Sequence, residues 1–124
     1  MADCPIRIEV ETAYLDHQSE PDEDRYAFAY SITIRNQGSV AAKLLSRHWI
    51  ITDADGGVQE VRGEGVVGEQ PLIRPGEHFQ YTSGAILPTP VGSMRGAYTM
   101  IDASGHEFEA PIDAFTLARP GALH

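Results

Sequence analysis

From Tyr26 to Ile34 a large apolar residue stands at every second position, Tyr26, Phe28, Tyr30, Ile32 and Ile34, with Ala27, Ala29, Ser31 and Thr33 between them. Side chains alternate across an extended backbone, so this spacing specifies a strand with one buried face, whereas a helix would repeat its apolar residues every three to four positions. The same period recurs along most of the chain. Ile6, Ile8 and Val10 alternate with Arg7, Glu9 and Glu11, and Phe79, Tyr81, Ser83, Ala85 and Leu87 form another series. Met94, Tyr98 and Met100 share one parity in the next strand. In the last, Phe108, Ala110 and Ile112 are even-numbered while Phe115 and Leu117 are odd. The inward face must therefore change register, which predicts a bulge at residues 111–114.

Turn chemistry separates these segments. Asn36-Gln37-Gly38-Ser39 ends the first clear strand, and Asp53-Ala54-Asp55-Gly56-Gly57 and Asp102-Ala103-Ser104-Gly105 read as hairpin turns. In Arg74-Pro75-Gly76-Glu77 the proline and glycine occupy the central positions of a type II turn. Between Val40 and Asp53 the chain is apolar on both parities, with Leu45, Trp49 and Ile51 on one and Leu44 and Ile50 on the other. That pattern predicts a central strand with both faces covered at least in part. About seven strands with almost no helix point to an all-β, antiparallel sandwich of the immunoglobulin or fibronectin type III kind. Trp49 is expected in its core. Tyr98, after the Leu87-Pro88 entry, is expected as a tyrosine corner. A chain of 124 residues is expected to form a single domain, 1–124, with a loosely held tail from Arg119 to His124.

Nine basic against eighteen acidic residues give a net charge of -9, which repels nucleic acid and anionic membrane surfaces. Neither is expected as a partner. No apolar run approaches the roughly twenty residues of a bilayer-crossing helix, and Met1-Ala2-Asp3-Cys4-Pro5 carries acid where a signal peptide carries base. A cytoplasmic location is the expectation. Cys4 is the only cysteine, which excludes an intrachain disulfide and a multi-cysteine zinc site.

Gly63-Glu64-Gly65-Val66-Val67-Gly68 spells a dinucleotide-binding glycine pattern. Such a pattern works because a helix follows it and offers free amides and a positive dipole end to the pyrophosphate. Here Pro71 and Pro75 follow within a few residues and argue against that helix. Two readings stand side by side. In one, Gly63, Gly65 and Gly68 form an amide nest for phosphate, pyrophosphate or a nucleotide tail, with charge from Arg62, Arg74 or Arg47. In the other they build a tight loop between strands.

Asp53-Ala54-Asp55-Gly56 lacks the third oxygen ligand of a calcium loop and reads as a solvated hairpin. Asp16, Glu20, Asp22, Glu23 and Asp24 crowd one polar segment with His17, read as a solvated loop rather than a site of converging ligands. The five histidines show no zinc spacing. Ser46, Ser83, His48 and Asp53 come without a nucleophile elbow, so no catalytic set is assigned, and no cofactor or metal is expected.

The segments Leu44-Leu45-Ser46-Arg47-His48-Trp49-Ile50-Ile51-Thr52-Asp53 and Gly63 through Pro71 resemble the bacterial ApaG family. So do Arg25 to Tyr30, Pro75-Gly76-Glu77, Tyr81-Thr82-Ser83-Gly84 and Gly96-Ala97-Tyr98, so that the likeness spans nearly the whole chain. The resemblance implies a fibronectin type III-like sandwich, an association with cobalt resistance and magnesium efflux, and a role like that of the partner-binding ApaG modules of eukaryotic proteins. The resulting expectation is a non-catalytic module that binds an unidentified protein partner. Its surface would include the glycine loop and Arg47, His48 and Trp49; a phosphate or nucleotide ligand is the alternative, and oligomeric state is left open.

Overall fold

The computed structural model describes residues 4–122, so the last two residues of the expected loose tail, and the first three of the chain, lie outside the described residues. Eight strands follow one another: β1 (Ile6–Tyr14), β2 (Tyr26–Asn36), β3 (Ala42–Asp53), β4 (Val58–Glu64), β5 (Leu72–Ile73), β6 (His78–Leu87), β7 (Val91–Asp102) and β8 (Glu107–Ala118). One sheet has the order β1-β2-β6, the other β4-β3-β7-β8 with β5 added to β3, and every pairing is antiparallel. The two sheets enclose one core, as in the expected sandwich, with eight strands in place of seven. The additional strand is β5, whose two residues pair with Ala42 and Lys43. A two-residue strand is too short to carry any period.

Tyr26, Phe28, Tyr30, Ile32 and Ile34 are all buried, as their alternation requires. Facing them, β7 contributes Met94, Tyr98 and Met100 and β8 contributes Ala110, Ile112 and Leu117. The bulge expected in the last strand is present. Ile112 pairs with Gly96 and Phe115 with Met94, so Asp113 and Ala114 together oppose the single residue Arg95.

β3 is central as expected, with most of its outward residues half-buried, and its two-parity pattern has a further cause. Its pairing with β7 slips between Leu44 and Ser46, leaving Leu45 as an extra residue. Ala42 and Leu44 enter the core before the bulge, and Trp49 and Ile51 after it. One buried face that changes parity looks in the sequence like two buried faces. The freed carbonyl of Leu45 accepts Gly65 N–H at 2.8 Å and Gln70 Nε2 at 2.9 Å, so the bulge anchors the loop after β4.

Trp49 occupies the expected core position, with its ring edge-on to Tyr30, Phe115 and Tyr98 at centroid distances of 5.4, 5.8 and 6.3 Å. Tyr98 is not a tyrosine corner. That motif returns its hydroxyl to nearby backbone, whereas here the hydroxyl crosses the core to the Tyr81 hydroxyl of the facing sheet. Burial raises both phenols above their ordinary range.

The hairpin turns repeat one device. Asp53 Oδ1 accepts the amides of Asp55 and Gly57, and Asp102 Oδ1 those of Ser104 and His106. β1 and β8 meet along one side of the sandwich. On the other, β4 and β6 are the outermost strands of their sheets, each with one edge unpaired. Among the described residues no helix is long and apolar enough to cross a membrane.

Candidate functional site

β4 ends at Glu64 and the chain then turns tightly at one end of the open side. Val66 and Glu69 exchange two backbone hydrogen bonds at 2.8 and 2.9 Å, enclosing Val67 at φ 44° and Gly68 at φ 81°. Positive φ at both central positions is the turn whose twist suits adjoining strands. No helix follows; the next elements are β5 and β6.

Each glycine has its own local reason. Gly63 pairs with Arg47 across the β3–β4 ladder, and a Cβ on it would meet the Arg47 guanidinium at 2.8 Å. Arg47 passes over that gap to donate from Nη1 to the carbonyls of Glu64 at 3.1 Å and Gly65 at 2.9 Å. Gly65 has φ 63°, and a Cβ there would sit 2.2 Å from the Glu69 carbonyl oxygen. Gly68 needs only its positive φ, with open space around it. The spacing thus serves a side chain crossing, a loop closure and a turn. The amides of Gly65, Val66 and Glu69 are spent inside the structure, which leaves those of Val67 and Gly68 unspent in the turn.

Of the three arginines expected to supply phosphate-binding charge, only Arg47 lies against the glycine turn. Arg62 lies on the outer face of its sheet, 3.7 Å from Glu60. Arg74 sits beyond β5 in the type II turn, 3.9 Å from Glu77. The expected surface of Arg47, His48 and Trp49 is likewise divided, because successive strand residues point to opposite faces. Arg47 and Trp49 point between the sheets, and Trp49 is only 2% exposed, so it belongs to no surface. His48 points outward, its Nε2 2.7 Å from Glu60 Oε1. That hydrogen bond, and then the imidazole charge, hold the Glu60 carboxyl below the usual carboxylate range.

Asp16–Gln18 and Pro21–Glu23 form two short 3₁₀ turns joined through Ser19, whose hydroxyl bonds Leu15 O and accepts Ala27 N–H. Among the described residues no three His, Cys, Asp or Glu side chains are grouped so as to hold a metal ion.

Two cavities open along the side bounded by β4 and β6. The larger, about 500 Å³, is apolar and includes Phe28, Trp49, Gln59, Ala85 and Ile86 in its walls. The smaller, about 190 Å³, lies against the glycine turn and is lined by Tyr30, Arg47, Val66, Val67, Gly68, Tyr81 and Ser83. Tyr30 borders both. The sequence reading assigned no binding role to Tyr30, Tyr81 or Ser83. The available signal was Ser83, a hydroxyl at an inward position of a strand whose other inward residues are Phe79, Tyr81, Ala85 and Leu87.

The ApaG domain family matches residues 16–102 of this chain. Protein ApaG of Thiobacillus denitrificans is 64% identical over 119 residues, which cover 96% of this chain and 94% of that protein. Protein ApaG of Pseudomonas aeruginosa is 61% identical over the same shares of the two chains. Among solved structures, an X-ray structure of a structural-genomics target superposes with a TM-score of 0.92 at 55% identity, covering 97% of this chain and 91% of that one. A crystal structure of a Bordetella pertussis protein superposes with a TM-score of 0.91 at 52% identity, covering 94% of both chains.

Proposed function

This chain belongs to the ApaG domain family, and we propose that it works as a non-catalytic binding module in the cytoplasm whose partner is a polypeptide. The observation that carries the reading is the open side of the sandwich. There β4 and β6 each present an edge with which no other described strand pairs. An unpaired edge offers a row of backbone donors and acceptors to an incoming strand, which is a common mode of peptide recognition. Exposed Val58, Val61, Val67 and Ile86 fringe this side and supply apolar area for the partner's side chains. Loops and edges on a rigid scaffold are where such surfaces are usually built.

In this reading the family's association with cobalt resistance and magnesium efflux runs through the partner. The tight packing of the glycine loop on its own amides and on Arg47 favours a shaped, rigid rim over a nucleotide-binding loop. Photo-crosslinking amino acids placed one at a time at Val61, Ile86 and Val40 test the reading in cells. A specific polypeptide adduct is expected from Val61 and Ile86 and not from Val40, which lies away from this side. Equal labelling from all three positions, or adducts from Val40 alone, would overturn it.

A further inference from the structure

We infer that the small cavity between Arg47, Tyr30, Ser83 and the glycine turn is a carboxylate site, occupied by an acidic side chain or chain terminus of the bound polypeptide. The inference deepens the reading of the open side as a polypeptide-docking surface and rests on it.

Its walls carry donors without partners. Arg47 is half-buried, forms no ion pair among the described residues, and uses Nη1 alone on the loop carbonyls. Its Nε and Nη2 donors find no acceptor in the described protein, and an arginine presents those donors as a planar fork that matches a carboxylate. Tyr30 is 6% exposed as a residue and lines the cavity, and its hydroxyl bonds nothing among the described residues. That hydroxyl is not fully buried, so it is accessible and can donate to an acceptor that enters the cavity. Ser83 adds a third uncommitted donor from the facing strand, and the amides of Val67 and Gly68 are likewise unspent. None of the lining residues is a carboxylate.

The charge count selects the ligand. A single guanidinium balances one negative charge, which suits a carboxylate. A phosphate carries more charge at neutral pH and would enter a protein of net charge -9 with no second cation in the cavity. The volume of about 190 Å³ admits a compact end group and excludes a nucleotide.

Amide and arginine side-chain shifts recorded by NMR during acetate titration at constant ionic strength test this directly, with inorganic phosphate as the comparison. Saturable shifts confined to Arg47, Val67, Gly68 and Ser83 are expected, with half-saturation on the order of 1–10 mM for so small an ion. Tyr30→Phe and Ser83→Ala should each weaken acetate about 3- to 10-fold, the loss of one hydrogen bond, with an unchanged thermal midpoint. Arg47 is left in place because it also holds the loop. Absence of saturation, tighter binding of phosphate than of acetate, or unaltered binding in both variants would overturn the assignment. The titration uses no partner, so its failure is separable from failure of the cross-linking test.

Discussion

Gly63→Ala tests why the glycine spacing exists. The new methyl would lie 2.8 Å from the Arg47 guanidinium, against ordinary contacts of 3.4–4 Å, so the guanidinium must retreat by at least about 0.6 Å. Its Nη1 bonds to Glu64 O and Gly65 O are already 3.1 and 2.9 Å long, and the retreat weakens both. Hydrogen bonds from a charged donor contribute about 1.5–3 kcal/mol each when intact. Partial loss of two, one of them solvent-exposed, amounts to about 1–2 kcal/mol. Alanine itself is about 0.5–1 kcal/mol better than glycine in a strand, since it has less freedom to lose. The expected net effect is a destabilisation of about 1 kcal/mol. In an Arg47→Ala background the obstruction is gone and the same substitution should stabilise by about 0.5–1 kcal/mol. Urea unfolding at 25 °C reads both, through the fluorescence of Trp49, the only tryptophan. With an m-value of about 1–3 kcal/mol per molar, the midpoint should fall by about 0.5 M in the first case and rise in the second. A coupling of about 2 kcal/mol is well above the ~0.5 kcal/mol scatter of independent sites. Identical shifts in the two backgrounds would refute the account and return Gly63 to a ligand role.

Gly65→Ala combines an αL backbone with a Cβ 2.2 Å from a carbonyl oxygen, and should destabilise by about 3 kcal/mol or more. Gly68→Ala, strained only by φ, should lose about 1–2 kcal/mol; thermal denaturation showing equal losses would contradict the distinction. Tyr81→Phe strips the fully buried Tyr98 hydroxyl of its sole partner and should lose about 1–3 kcal/mol. Tyr98→Phe leaves the Tyr81 hydroxyl at the wall of the small cavity, within reach of water, and should lose about 0.5–1.5 kcal/mol; the reverse order in urea unfolding would refute this. Both phenols are held above their unfolded value of 10, so the stability they contribute is complete below pH 10 and is lost as pH rises past it. Absorbance at 295 nm should show part of the tyrosine ionisation withheld in the folded protein and released on unfolding in urea; a titration curve identical to that of the unfolded chain would refute it.

The inward faces of β2 and β6 and the bulge of β8 were legible because each is a statement about parity, and parity survives in a linear string. So were the Asp53 and Asp102 turns, whose hydrogen bonds reach only two to four residues along the chain. The bulge at Leu45 was hidden because leucines on both parities fit a doubly covered strand equally well. The purpose of Gly63 was hidden for another reason. It depends on Arg47, sixteen residues earlier, becoming its neighbour across a ladder. The small cavity needs Tyr30, Arg47, Ser83 and the turn brought together from four separate segments, and no local pattern records such a meeting.

The extra residue in β3 also limits how this chain can change over evolutionary time. Deleting Leu45 would bring Ala42, Leu44, Trp49 and Ile51 onto one parity and turn the pairing with β7 into a regular ladder, so the core face of the strand would survive. The carbonyl that tethers the segment after β4 would disappear with it. The extra residue is therefore retained for what it holds outside the strand, since its loss would spare the core and set the glycine turn adrift.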